Sequence, residues 1–238
     1  MVLSSESLQR LDKIVRLSVQ GDPDESVAYG VLNEMLFEHK NLFEPGTFIV
    51  FPQLWLKWNP KQAGDRRGDK PDVGIGRLRS GGSISLQGGA EQKAALLPLM
   101  RSLPPASKLE IESDMDTKES LRSRFERASS QARDQVKAAI RNGAIPYDVV
   151  VPWLVVVGPY FVVKEIGPFT EAERNTREYK PNDSGDFLFS EVANNLRDNA
   201  AHIPILERIY RIGTPEAAVA IDAFLRQGLA FYDNDNRL

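Results

Sequence analysis

Apolar positions along this chain follow two rhythms, one of three to four residues and one of two. In the longer rhythm, Leu8, Leu11, Ile14 and Val15 predict a short amphipathic helix over residues 5–19. Asp22-Pro23-Asp24 sets acids and a proline where a helix N-terminus favours them. The helix they open carries Val27, Val31, Leu32, Met35 and Leu36 on one face and should end near Lys40. The strongest helical signal comes later. Leu121, Phe125, Ala128, Ala132, Val136 and Ala139 stand 4, 3, 4, 4 and 3 residues apart, predicting one long helix that ends in the turn at 143–146. Further helices are expected at 187–199, 204–210 and 215–231, the last behind Thr214-Pro215.

The strand-like segments are shorter. Residues 47–58, after a Pro45-Gly46 turn, carry Phe48, Ile49, Val50, Phe51, Leu54, Trp55 and Leu56, and Pro52 marks a bend or a sheet edge. A polar loop at 59–70 leads to a strand at 71–78. Residues 80–105 contain Gly81-Gly82, Gly88-Gly89 and Pro104-Pro105 and read as an insertion holding a short helix over 91–101. Strands follow at 108–113, 153–157 and 160–166, the last two joined at Gly158-Pro159. This order predicts an α/β fold with a central mixed β-sheet flanked by helices. We expect one domain over 1–238, with a core at 25–166 and a C-terminal helical extension at 167–238.

Composition narrows the setting. Hydrophobic residues make up 42% of the chain, enough for a core, and the absence of cysteine excludes disulfides and thiolate metal sites. The first residues are charged throughout, with no apolar run of signal-peptide kind. The longest apolar stretch, 149–163, is broken by Pro152, Gly158 and Pro159. It falls short of the roughly 20 residues a membrane helix requires. An intracellular protein, cytoplasmic or nuclear, without a membrane partner is expected. Net charge is −3, yet residues 117–141 hold seven bases against three acids, and Arg66, Arg67 and Lys70 form a second basic cluster. Local potential of this kind is what a phosphate backbone meets first.

Candidate chemistry lies in two segments, Lys70-Pro71-Asp72 at a strand start and Lys108-Leu109-Glu110-Ile111-Glu112. Alternation along a strand puts Lys108, Glu110 and Glu112 on one face. With Asp72 from a neighbouring strand they would form an oxygen-rich pocket suited to Mg²⁺ or Mn²⁺. Such an ion polarises a phosphodiester and generates hydroxide. Other chemistries find less support. Gly74-x-Gly76 lacks the third glycine and the following helix of a dinucleotide fingerprint, and there is no Gly-x-Ser-x-Gly. His39 and His202 lack the spacing of a zinc pair. Glu110 and Glu112, with backbones about 6–7 Å apart, overlap glycosidase spacing but have no aromatic sugar platform nearby. Trp55, Trp58 and Trp153 read as core or rim.

An acid on the early helix, Pro71-Asp72 at a strand, a Glu-x-Glu in place of Glu-x-Lys and a basic helix behind it resemble the PD-(D/E)XK nuclease superfamily. The resemblance spans about residues 25–166 and implies a restriction-endonuclease-like core. It implies Asp72 and Glu110 as metal-binding acids, Glu34 or Glu38 as the helix acid, and Gln131 or Gln135 as a glutamine near the site. Glu112 stands where the superfamily usually has lysine, a substitution reported for some restriction enzymes. It would then be a further ligand or orient the water, and Lys108 would supply the charge. The expected function is a Mg²⁺-dependent nuclease on DNA or RNA, with Arg66, Arg67, Lys70, Arg133 and Lys137 tracking phosphates. The alternative is a catalytically degenerate module of the same fold that binds protein or nucleic acid. In either case a stripe of Val219, Phe224 and Leu225 on the C-terminal helices is available to dock a partner or a second copy.

Overall fold

A computed structural model describes residues 3–18, 25–40, 43, 48–57, 68–79, 82–93, 115–178 and 209–233; the side chains of 25–28, 115–122 and 229–233 are outside that description. Two helices come first, α1 (Ser5–Ser18) and α2 (Glu25–Lys40). Strands β1 (Ile49–Pro52), β2 (Leu56–Lys57), β3 (Gly68–Asp69), β4 (Val73–Leu78) and β5 (Ile84–Lys93) lead to the long helix α3 (Met115–Arg141). Then follow β6 (Val151–Val157), β7 (Tyr160–Ile166), the short helix α4 (Glu171–Arg174), β8 (Tyr210–Arg211) and α5 (Pro215–Asp233).

Six strands form one mixed sheet in the order β1-β4-β5-β6-β7-β8. All pairs are antiparallel except β5 and β6, which run parallel on either side of the α3 crossover. A parallel pair requires a long connection of this kind, because a tight turn reverses direction. The expected α/β architecture is therefore present. On one sheet face, Phe125, Ala128, Ala132, Val136 and Ala139 of α3 pack against Leu86, Trp153, Val155 and Val157. On the other, α1, α2 and α5 bury Leu11, Met35, Leu36, Ile221 and Phe224 against Val73, Ile75, Ala90, Leu154 and Val156. The apolar spacing of α3 is thus the spacing of its buried face, and its alanines let the helix lie close to the strands.

Four expectations need correction. The segment at 47–58 is two strands: β1 ends at Pro52 on the sheet edge, Gln53 turns with φ 50°, and β2 pairs with β3 in a separate small sheet. Proline suits an edge because it donates no ladder hydrogen bond. Residues 80–105 are not simply an insertion, since 84–93 form β5, and Glu91 to Lys93 end a strand instead of opening a helix. Tyr210 belongs to a strand paired with Phe161. The C-terminal part is no appendage, because β8 extends the sheet and α5 belongs to a core layer.

β5 escapes a pattern search for a physical reason. Its two central glycines are required by rings on both sides. A Cβ on Gly89 would stand 2.4 Å from the Trp153 ring, and one on Gly88 would stand 3.2 Å from Phe224. The register also skips Gln87, because Gly88 faces Ile75 while Leu86 faces Gly76, so β5 carries a bulge. The expected elements at 108–113 and 187–199 lie outside the described residues. Among the described residues, β4 has β1 on one side and β5 on the other.

Candidate active site

Val73 pairs with Ala90, and extending that register by one residue sets Asp72 opposite Glu91. Ala90 packs in the layer of α1, α2 and α5, so alternation turns Glu91 and Lys93 toward α3. The two carboxyl groups share a site where β4 begins and β5 ends. The backbone N–H of Gln92 donates to Asp72 Oδ2 at 2.7 Å, and the Tyr29 hydroxyl of α2 donates to Asp72 Oδ1. Lys93 Nζ donates to Glu91 Oε1 at 2.5 Å, and Gln135 Nε2 of α3 donates to Glu91 Oε2 at 2.5 Å. Gln135 also reaches the carbonyl of Lys70 at 3.4 Å, linking helix, strand and the turn into β4. The main chain of Asp72 is held too, because Gln53 N–H donates to its carbonyl at 2.9 Å.

Burial sets the electrostatics. Glu91 is fully buried, whereas Lys93 keeps 22% of its side chain exposed. Desolvation pushes the Glu91 carboxyl up to about 8, Asp72 adds repulsion, and the hydrogen bonds from Lys93 and Gln135 offset only part of that rise. Desolvation also holds Asp72 above the usual carboxylate range, against the pull of Tyr29, the Gln92 N–H and Lys93. Two adjacent carboxylates with one nearby ammonium form a site that a further cation would stabilise.

No family model, curated protein or solved structure matches the chain.

Asp72 is joined by residues the sequence reading did not single out. Glu91-Gln92-Lys93 has the Glu-x-Lys order itself, and Tyr29 is the α2 side chain that reaches the site. A search for Glu-x-Lys after Pro71-Asp72 would have found the first signal; the second required coordinates. Glu34 and Glu38 instead meet Arg10 of α1, Glu34 at 2.7 Å. Gln135 is at the site. Gln131 stands one turn away with a buried Oε1 that has no hydrogen-bond partner, as does Gln135 Oε1. Lys70 is exposed at the mouth. Arg133 and Lys137 serve a different contact, both meeting Glu178, at 2.8 and 2.6 Å, with Lys137 almost wholly buried. Lys108, Glu110, Glu112, Arg66, Arg67 and Trp58 lie outside the described residues.

The donor set suits a hard divalent cation. Asp72 and Glu91 offer carboxylate oxygens, and Mg²⁺ is commonly bound by one or two carboxylates while water and substrate phosphates complete its shell. Among the described residues, no group of three or more His, Cys, Asp or Glu side chains converges on one point. The candidate ligands are thus this pair, with the unpartnered Gln135 Oε1 as a further acceptor beside them. The stripe expected on α5 is mostly internal: Phe224 and Leu225 are buried in the core, and Val219 alone of the three is exposed. Among the described residues, no helix is long and apolar enough to cross a membrane.

Proposed function

We propose that this chain is a metal-dependent phosphodiesterase acting on DNA or RNA, built on a PD-(D/E)XK-like site of Asp72, Glu91 and Lys93. One observation carries the reading: the fully buried Glu91 carboxyl shares a site with Asp72, Glu91 held by Lys93 and Gln135 and Asp72 by the Gln92 N–H. Two carboxyl groups buried side by side repel each other when ionised, and a cation between them offsets that repulsion. A bound Mg²⁺ or Mn²⁺ would polarise the phosphodiester and lower the pKa of an attacking water.

The chain's own groups divide the remaining work. Asp72, just before β4, and Glu91, near the end of β5, would hold the cation. Tyr29 and the Gln92 N–H fix the Asp72 carboxylate, and Gln135 fixes that of Glu91. Such supporting hydrogen bonds keep ligands oriented. Lys93, part-exposed at the edge of the pair, stabilises negative charge developing on the phosphoryl oxygens. Lys70 adds positive charge at the mouth for an incoming backbone.

Cleavage of single- and double-stranded DNA and RNA with Mg²⁺ or Mn²⁺ tests the proposal. We expect turnover by the wild type, and a fall of about a hundredfold or more in Asp72→Asn and in Lys93→Met. Absence of metal-dependent cleavage on all four substrates would remove the enzymatic reading. A second reading rests on a different observation, that every carboxylate oxygen of the pair already accepts a protein hydrogen bond. That arrangement also fits a module that kept the site's frame and acts by binding. Saturable binding of nucleic acid without cleavage would favour it.

A further inference from the structure

At the opposite end of β5 from Glu91, a cavity of about 550 Å³ opens between the β4–β5 turn, the C-terminal end of α3 and α4. Ser85, beside it, is six residues before Glu91 on β5, which at about 3.3 Å per residue separates the two places by about 20 Å. Arg79, Arg141 and Arg174 line the cavity against one carboxylate, Glu171. The three cations come from three elements, and each is anchored. Arg79 donates to Ser85 Oγ at 2.9 Å. Arg141 donates to the Arg174 carbonyl at 3.1 Å and to Asn175 Oδ1, while the Arg174 guanidinium lies 5.6 Å from the centre of the Tyr147 ring.

Charge compensation is incomplete at this place. Arg10, Arg16, Arg133, Lys137, Arg177, Arg211 and Arg226 each meet a carboxylate in an ion pair. Among the described residues, no carboxylate lies within ion-pair distance of Arg79 or Arg174. Their anchoring partners are a hydroxyl and a ring, which leave the positive charge in place. The last carbonyls of α3 are occupied here, because N–H groups of Asn142, Gly143 and Ala144 close on them. Tyr147, 63% exposed, adds a flat apolar surface at the rim. Anchored guanidiniums beside an exposed ring match a phosphate carried next to a planar base. The volume suits one nucleotide unit.

We propose that this cavity is a nucleotide-binding site in which Arg79, Arg141 and Arg174 hold a phosphate and Tyr147 stacks the base. The nucleotide is either free or one unit of a single strand. The site does not depend on the pair at Asp72 and Glu91, so its test runs without divalent ions. Calorimetric titration of the full chain uses inorganic phosphate, adenosine 5′-monophosphate and a ten-residue oligothymidylate at low salt. The mononucleotide should bind more tightly than phosphate. Arg79→Ala and Arg174→Ala should each weaken both by about tenfold or more. Tyr147→Ala should weaken the mononucleotide by about five- to hundredfold and phosphate clearly less, since phosphate loses only the ring that positions Arg174. These side chains lie at the surface, and an unchanged circular dichroism spectrum confirms that each variant folds. Oligothymidylate binding lost in the same variants assigns the site to a strand, and mononucleotide binding without it assigns a free nucleotide. Failure of all three ligands to bind, or binding that Arg79→Ala and Arg174→Ala leave intact, would overturn the proposal.

Discussion

At the scale of single residues, Glu91 governs the electrostatics of the site. Its folded pKa is raised from 4.5 to about 8, chiefly by burial and then by Asp72. A carboxyl shifted upward contributes most when both folded and unfolded states are protonated, below about pH 4.5. The contribution declines as pH rises through the window up to about 8 and then levels off. Glu91→Gln removes that titration. Thermal unfolding in chelator from pH 5 to 9 should show the variant gaining on the wild type across this window, with a constant gap above about pH 8. Parallel curves would mean that Glu91 is not held as described. His39 works in the opposite sense, since burial lowers its pKa and its share of stability falls away as pH drops below 6.5. Of the site residues, the sequence made Asp72 legible through Pro71-Asp72 at a strand start. It hid Tyr29, because a tyrosine on a helix carries no sign of the strand it will touch.

Among the elements, legibility follows how directly local pattern meets burial. α3 was readable because its apolar spacing is the spacing of one buried face, and β6 and β7 because they are continuous β-branched and aromatic runs. β5 was not, because its glycines answer to Trp153 and Phe224, distant in sequence, and its charged end answers to chemistry. Looking for carboxylates on an apolar strand therefore led to 108–113, while the strand beside Asp72 ends in Glu91-Gln92-Lys93. Gly89→Ala puts a methyl 2.4 Å from the Trp153 ring and should cost about 1–3 kcal/mol in denaturant unfolding. Paired with Trp153→Leu, the same change should cost measurably less. Equal costs in both backgrounds would contradict ring contact as the reason for the glycine.

Across the whole molecule, the basic face of α3 has a structural task where it meets residues 169–178. Asp134 accepts the Glu178 N–H at 2.9 Å, Lys137 meets Glu178 at 2.6 Å and the Thr176 carbonyl at 3.1 Å, and Arg177 meets Asp69 at 2.7 Å. This segment straps α3 to β3, three residues before Asp72. Breaking a buried pair costs more than the pair contributes, because a charge is left uncompensated. Lys137→Met should destabilise the fold by about 3–5 kcal/mol in urea unfolding. A loss under about 1 kcal/mol would return Lys137 to the role of a surface base. Nothing in the sequence distinguishes such a lysine from one that faces a phosphate; only the arrival of Glu178 does.

All of these scales meet in the claim that Asp72 and Glu91 form a cation site. Titrating the chain with Mn²⁺ by calorimetry near pH 7, in two buffers of different ionisation enthalpy, tests it most directly. Saturable binding of one ion with release of a proton is expected, because the Glu91 carboxyl is largely protonated at that pH and must ionise to bind. Glu91→Gln should abolish both binding and proton release. No saturable heat in the wild type, or binding that survives Glu91→Gln, would contradict the account.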